Sequence, residues 1–99
     1  MIKDNADKHR VEVWVDDQLA GFVEYHDHAT TRAFLHTEID PGFEGRGLAS
    51  ELIKDVLDEA RANGRQVLPY CPFVRSYIER HPEYVDLVAA DKRDEFGLV

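Results

Sequence analysis

The chain has 99 residues, with 12 Lys and Arg against 20 Asp and Glu, a formal charge of −8. A chain of this size buries only about 60–65% of the surface its unfolded form exposes, which excludes a second independent core and reads as one domain over 1–99, with 1–8 and 91–99 as flexible tails. The acidic balance argues against nucleic acid as a partner, since phosphates need a concentrated basic footprint.

Alternation opens the pattern. Val11, Val13 and Val15 interleave with Glu12 and Trp14, which predicts a strand with one apolar row, closed by the Asp16-Asp17 turn. Leu19 to Tyr25 predicts the returning arm, with Gly21 marking a bulge or a close backbone approach. After the polar turn His26 to Thr30, Ala33 to Ile39 predicts a third, central antiparallel strand. On it, His36 and Glu38 share one face, and Leu35, Thr37 and Ile39 the other.

Asp40-Pro41-Gly42 ends that strand. From Gly47 onward, Leu48, Leu52, Ile53, Val56, Leu57 and Ala60 form one apolar stripe of a helix that Asn63-Gly64 stops. Gln66 to Cys71 then reads as a strand parallel to the one before the helix. Pro72 opens a second helix, with Phe73, Val74, Tyr77 and Ile78 on its apolar side, and His81-Pro82 ends it. Tyr84 to Val88 reads as a last strand or turn, and Asp91 to Glu95 as a solvated charge run. Trp14, Phe22, Phe34 and Phe73 are assigned to the core.

The single cysteine, Cys71, cannot form an intramolecular disulfide, and Met1 to Asn5 carries no apolar leader, so a reducing cytoplasm is expected. No run approaches a membrane span, and the five His show no metal-ligand spacing, so neither membrane nor metal is expected. A monomer or weak homodimer is expected.

The segment Ile39 to Ala49 is a strand running into a glycine turn that opens an amphipathic helix. Gly45 and Gly47 let several N–H groups converge where the helix dipole adds positive charge, a cradle suited to a diphosphate. Glu44-Gly45-Arg46-Gly47-Leu48-Ala49 resembles the acetyl-coenzyme A loop of the GNAT superfamily of N-acetyltransferases, Gln/Arg-x-x-Gly-x-Gly/Ala, with Glu44 where Gln or Arg is usual. Phe34 to Pro41 is similar to the strand before that loop, and Pro69 to Tyr84 to the signature of a small subgroup of about this length. The resemblance covers roughly residues 9 to 88.

It implies an α+β fold of the three-layer GNAT kind: a mixed, mainly antiparallel sheet, a splayed parallel strand pair and two main helices. It also implies acetyl-coenzyme A as cosubstrate, no metal, and a primary amine acceptor such as a lysine side chain, a polyamine or a small basic metabolite. The charge of −8 would steer a cationic acceptor inward. Cofactor contacts then fall on Ile39, Asp40, Glu44, Gly45, Arg46, Gly47, Leu48, Ala49, Phe73 and Tyr77. His36 or Glu38 would take the amine proton, Tyr77 would protonate the departing thiolate, and Cys71, at a helix N-terminus, could carry an acetyl intermediate in place of direct transfer. Arg75, Arg80 and His81 read as solvated, with cofactor phosphates as the other option. A second reading keeps the fold as a non-catalytic acyl-coenzyme A binding or interaction module.

Overall fold

The computed structural model describes residues 1–98. Five strands form one sheet in sequence order: β1 (Ile2–Asn5), β2 (Arg10–Val15), β3 (Gln18–His28), β4 (Thr31–Ile39) and β5 (Gln66–Pro69). All neighbours are antiparallel except β4 and β5, which are parallel and joined through α1 (Leu48–Ala62). A parallel pair needs such a crossover, and the apolar stripe of α1 supplies what the crossover buries: Leu52, Ile53, Val56, Leu57 and Ala60. They meet Val11, Val13, Val23, Tyr25 and Phe34 from the sheet in one core. A second helix, α2 (Pro72–Arg80), adds Val74, Tyr77 and Ile78 to that core.

Both helices contribute to this one core, and the mixed, mainly antiparallel sheet with a parallel strand pair and two main helices is the α+β architecture that the resemblance implies. The short 3-10 segment Pro82–Leu87 holds the end of α2 beside α1. There the Arg61 guanidinium donates to both Asp86 oxygens at 2.9 and 2.8 Å, and Tyr84 donates its hydroxyl to Asp58 at 2.6 Å. No helix among the described residues is long and apolar enough to cross a membrane.

Two stretches differ from the sequence reading, and a third narrows it. Residues 2–5, expected in a tail, form the edge strand β1, because backbone pairing with β2 asks nothing of side chains. Tyr84 to Leu87, expected as a strand or a turn, winds as a 3-10 helix. Near the C-terminus, also expected in a tail, Phe96 and Leu98 are buried, with the Phe96 ring 5.2 Å from that of Tyr70.

Two bulges shape the sheet. Val13 opposes Gly21 and Trp14 opposes Leu19, so Ala20 is surplus on β3. On β4, His36 opposes Glu24 and Phe34 opposes Tyr25, so Leu35 is surplus. This second bulge resets the alternation: Phe34 and Thr37 face the helices, whereas His36 and Glu38 face away. Leu35 is therefore not a regular member of the row containing Thr37 and Ile39. Gly21 meets the requirement for close approach, since a Cβ there would lie 2.5 Å from the Glu38 carbonyl oxygen and 2.5 Å from Ile39 Cδ1.

Candidate functional site

β4 ends where Asp40 donates its amide to the Ala20 carbonyl at 2.7 Å and accepts at Oδ1 from the Gly42 amide at 2.9 Å. That cap, with Pro41 at the first position, winds Pro41–Phe43 into a 3-10 turn and hands the chain to the glycines. Gly45 and Gly47 have φ of 81° and 74°, a region that opposes any Cβ. Gly47 is the N-cap of α1 and supplies no side-chain acceptor to the first turn. Among the described residues, the successive amides of Gly45, Arg46, Gly47, Leu48, Ala49 and Ser50 donate to no protein group, and Glu51 is the first to bond back, to the Gly47 carbonyl at 3.1 Å. A row of free donors at the positive end of a 15-residue helix is an anion cradle.

The loop opens on a cleft of about 220 Å³. Gly45, Gly47, Leu48, Ala49 and Ser50 line one side, Ile39 and Phe43 the next, Phe73 of α2 the far wall, and Glu44 its rim. Arg46 and Asp40 do not line it; the Arg46 guanidinium stands 5.2 Å over the Phe43 ring. The loop thus gathers most of the expected cofactor contacts and adds Phe43 and Ser50. Both were visible as neighbours of the glycine motif, an apolar residue before it and a first-turn residue after it.

Beside the cleft the parallel pair comes apart. Ladder pairing of β4 with β5 ends at Phe34 and Pro69, and one more bond follows, from the Cys71 amide to the Phe34 carbonyl at 2.8 Å. Pro69 and Pro72 bracket this point, and the chain leaves the sheet as α2. From Leu35 to Ile39, β4 is paired with β3 on one edge only. Cys71 sits in the crotch, 3% exposed, its Sγ 3.1 Å from Thr37 Oγ1. Thr37 is a neighbour that the strand pattern alone did not single out.

His36 and Glu38 lie on the other side of β4, with 55% and 61% of their side chains exposed and 3.9 Å between His36 Nε2 and Glu38 Oε2. The His36 ring stands edge-on to Phe22 at 6.4 Å. Glu38 and Asp40 line a second cavity, about 200 Å³, floored by Leu19, Gly21, Phe22 and Ile39. Ile39 belongs to both cavities, so the end of β4 is the partition between them. Tyr77 is elsewhere: it is buried one turn further along α2, its ring 4.1 Å from His81 and 6.0 Å from Tyr84, and it does not line the cleft.

The fold shifts titration along the helical layer. The Tyr84 hydroxyl, and after it Lys54, hold Asp58 below the usual carboxylate range, while the same bond to Asp58, with burial, pushes Tyr84 up to about 12. These groups bind α1 to the segment after α2 and so fix Phe73 opposite the loop. Among the described residues no cluster of three or more His, Cys, Asp or Glu is placed to hold a metal ion.

Comparison with known proteins agrees with this geometry. A family model described as GCN5-related N-acetyl-transferase matches residues 10–87, which include the bulged strand, the loop and both helices. A search of curated protein sequences gives no match. Among solved structures, the chain is similar to a GCN5-like protein of Staphylococcus aureus determined by NMR, with a TM-score of 0.69 at 20% identity, covering 89% of this chain and 86% of the other. That likeness is one of fold, and the family match carries the assignment. With its glycine loop at the mouth of α1 and its parted parallel strands, the chain belongs to the GCN5-related N-acetyltransferase family and is an acyltransferase of that class.

Proposed function

We propose that the protein moves an acetyl group from acetyl-coenzyme A to a primary amine by direct transfer. The observation that carries this reading is the row of unbonded amides from Gly45 to Ser50, opening on a cleft that borders the unpaired edge of β4. A diphosphate satisfies those donors, and the free edge of Leu35 to Ile39 offers the amide groups of a pantetheine arm a strand to pair with. When bound, acetyl-coenzyme A supplies the activated thioester.

The acceptor enters, in this reading, by the cavity on the other side of Ile39. An amine reaches a protein at neutral pH as an ammonium ion and must lose a proton before it attacks. Glu38 and Asp40 attract the cation, and Glu38, with His36 beside it, takes the proton. A lysine side chain, a polyamine or a small basic metabolite meets these requirements. Cys71 and Thr37 mark the crotch at which the reacting carbon would arrive. Deep burial of the thiol beside a hydroxyl, without a basic side chain bonded to it, favours direct transfer over an acetyl-Cys71 intermediate. The single thiol suits a reducing cytoplasmic setting.

The test is release of coenzyme A across a panel of lysine peptides, polyamines and basic metabolites, with calorimetry of acetyl-coenzyme A binding alongside. Turnover on at least one amine supports the reading. Binding without turnover makes the protein an acyl-coenzyme A binding module, and neither binding nor turnover removes the cofactor. Intact mass after incubation with acetyl-coenzyme A alone reads the acetyl-Cys71 route directly.

A further inference from the structure

Far from the glycine loop, beside the C-terminal half of α1, a cavity of about 230 Å³ opens between that helix and β1 and β2. Ile2, Val11 and Val56 give it an aliphatic lining, and two guanidinium groups border it. Arg32 has only 7% of its side chain exposed. Its Nε and Nη2 donate to the two Asp27 oxygens at 2.7 and 2.9 Å, and its guanidinium carbon lies 3.7 Å from the centre of the Tyr25 ring. Its Nη1 has no such partner: Glu59 Oε2 stands 3.7 Å away, outside hydrogen-bond reach. Arg65 Nε is buried with no hydrogen-bond partner, 3.6 Å from Glu59 Oε1.

A buried charged donor left unmet is rare and costly, and here Arg65 Nε is one, with Arg32 Nη1, which makes no hydrogen bond, on the same cavity. A planar carboxylate would satisfy them. A bare anion does not fit the surroundings, because Asp4, Asp55 and Glu59 also line the cavity and Asp27 stands behind Arg32, four carboxylates against two guanidinium groups. Inorganic phosphate, with more charge, fits worse. A ligand that brings its own cation removes the conflict: its ammonium group faces the exposed Asp55 and Asp4, and its carbon chain lies on Ile2, Val11 and Val56.

We propose that this cavity binds a short aliphatic α-amino acid, carboxylate inward on Arg32 and Arg65, ammonium outward at Asp55. The site lies apart from the glycine loop and does not depend on acetyl transfer.

Calorimetry and thermal melts of the full chain, without acetyl-coenzyme A, test it with four probes: L-leucine, isopentylamine, 4-methylpentanoate and inorganic phosphate. L-leucine binds saturably, and the other three bind at least about tenfold more weakly, isopentylamine lacking the carboxylate, 4-methylpentanoate the ammonium, and phosphate both the ammonium and the carbon chain. Arg65→Met weakens leucine binding by about 10- to 100-fold, the scale of a lost charge-assisted bond. Should Arg65→Met fail to fold, Asp55→Asn at the exposed mouth carries the same test. Leucine also moves the Nε–H resonance of Arg65 in a ¹⁵N spectrum of the unsubstituted chain. Absence of saturable leucine binding tighter than about 1 mM overturns the proposal and leaves a cavity filled by water. Equal binding by isopentylamine overturns it as well, reducing the site to an acidic surface.

Discussion

Glu44 lines the cleft beside donors that draw in a diphosphate, and its carboxylate repels the same group. Exposed charge interactions of this kind contribute about 0.5–1 kcal/mol. Glu44→Gln should therefore tighten acetyl-coenzyme A by about two- to fivefold in calorimetry, with the fold unchanged. Glu38→Gln keeps the shape of its cavity and removes the base. Its expected effect is a fall of about 100-fold in kcat with acetyl-coenzyme A affinity intact, measured by coenzyme A release at saturating amine. The glycines at 45 and 47 were legible in the chain because a turn of that kind needs them. Thr37, bonded to Cys71 across the parted strands, was not: its partner lies 34 positions away, and no local pattern encodes that meeting.

At the scale of elements, two glycines do different work. Gly21 provides space. A Cβ there would meet the Glu38 carbonyl oxygen at 2.5 Å, and backbone must move to admit it. Gly21→Ala should cost about 1–3 kcal/mol and lower Tm by about 4–8 °C for each of those, while displacing the end of β4 and lowering turnover. Gly47 provides conformation: nothing lies within 4 Å of an added Cβ, but φ is 74°. Gly47→Ala should cost about 1–2 kcal/mol, read by denaturant titration. The periodicity of Val11 to Val15 and of Leu48 to Ala60 made β2 and α1 readable, since both bury one regular row. β1 escaped notice because Ile2-Lys3-Asp4-Asn5 is held by main-chain bonds, and the burial of Phe96 and Leu98 because it is settled by contacts distant in sequence. The surplus Leu35 has neither glycine nor proline to announce it.

For the molecule as a whole, ionised pairs bound its stability in pH. Asp27 is held low by the Arg32 hydrogen bonds, Asp58 by Tyr84 and Lys54, and Asp86 by Arg61. Burial pushes Glu12 up, but bonds from Arg10, Asn5 and Trp14 outweigh it and leave it lowered. A carboxyl group whose folded value is depressed stabilises above its unfolded value, about 4, and that contribution is lost as pH falls through the folded value. Tyr25, pushed up to about 12 by burial and then by Asp4, and Tyr84, at about 12, have the opposite sense. Their contribution is complete below the unfolded tyrosine value of about 10 and is lost as pH rises through about 12. Melting temperature should hold a plateau between about pH 5 and 9 and fall on both sides, and absorbance at the tyrosinate band should show two late-ionising phenols.

The extra residue in β4 also governs which length variants the chain can tolerate. Removing Leu35 would restore strict alternation with Phe34 and Thr37 still on one face, His36 and Glu38 still on the other, and the registry with β3 kept, whereas removing a regularly paired residue such as Val23 of β3 turns half of its strand over. Adding a residue at the Ala29-Thr30 connection, outside the ladders, disturbs no such parity. Indels in this protein should thus be permitted at its hairpin tips, with a single deletion also tolerated at the β4 bulge, and purged from the regular ladders.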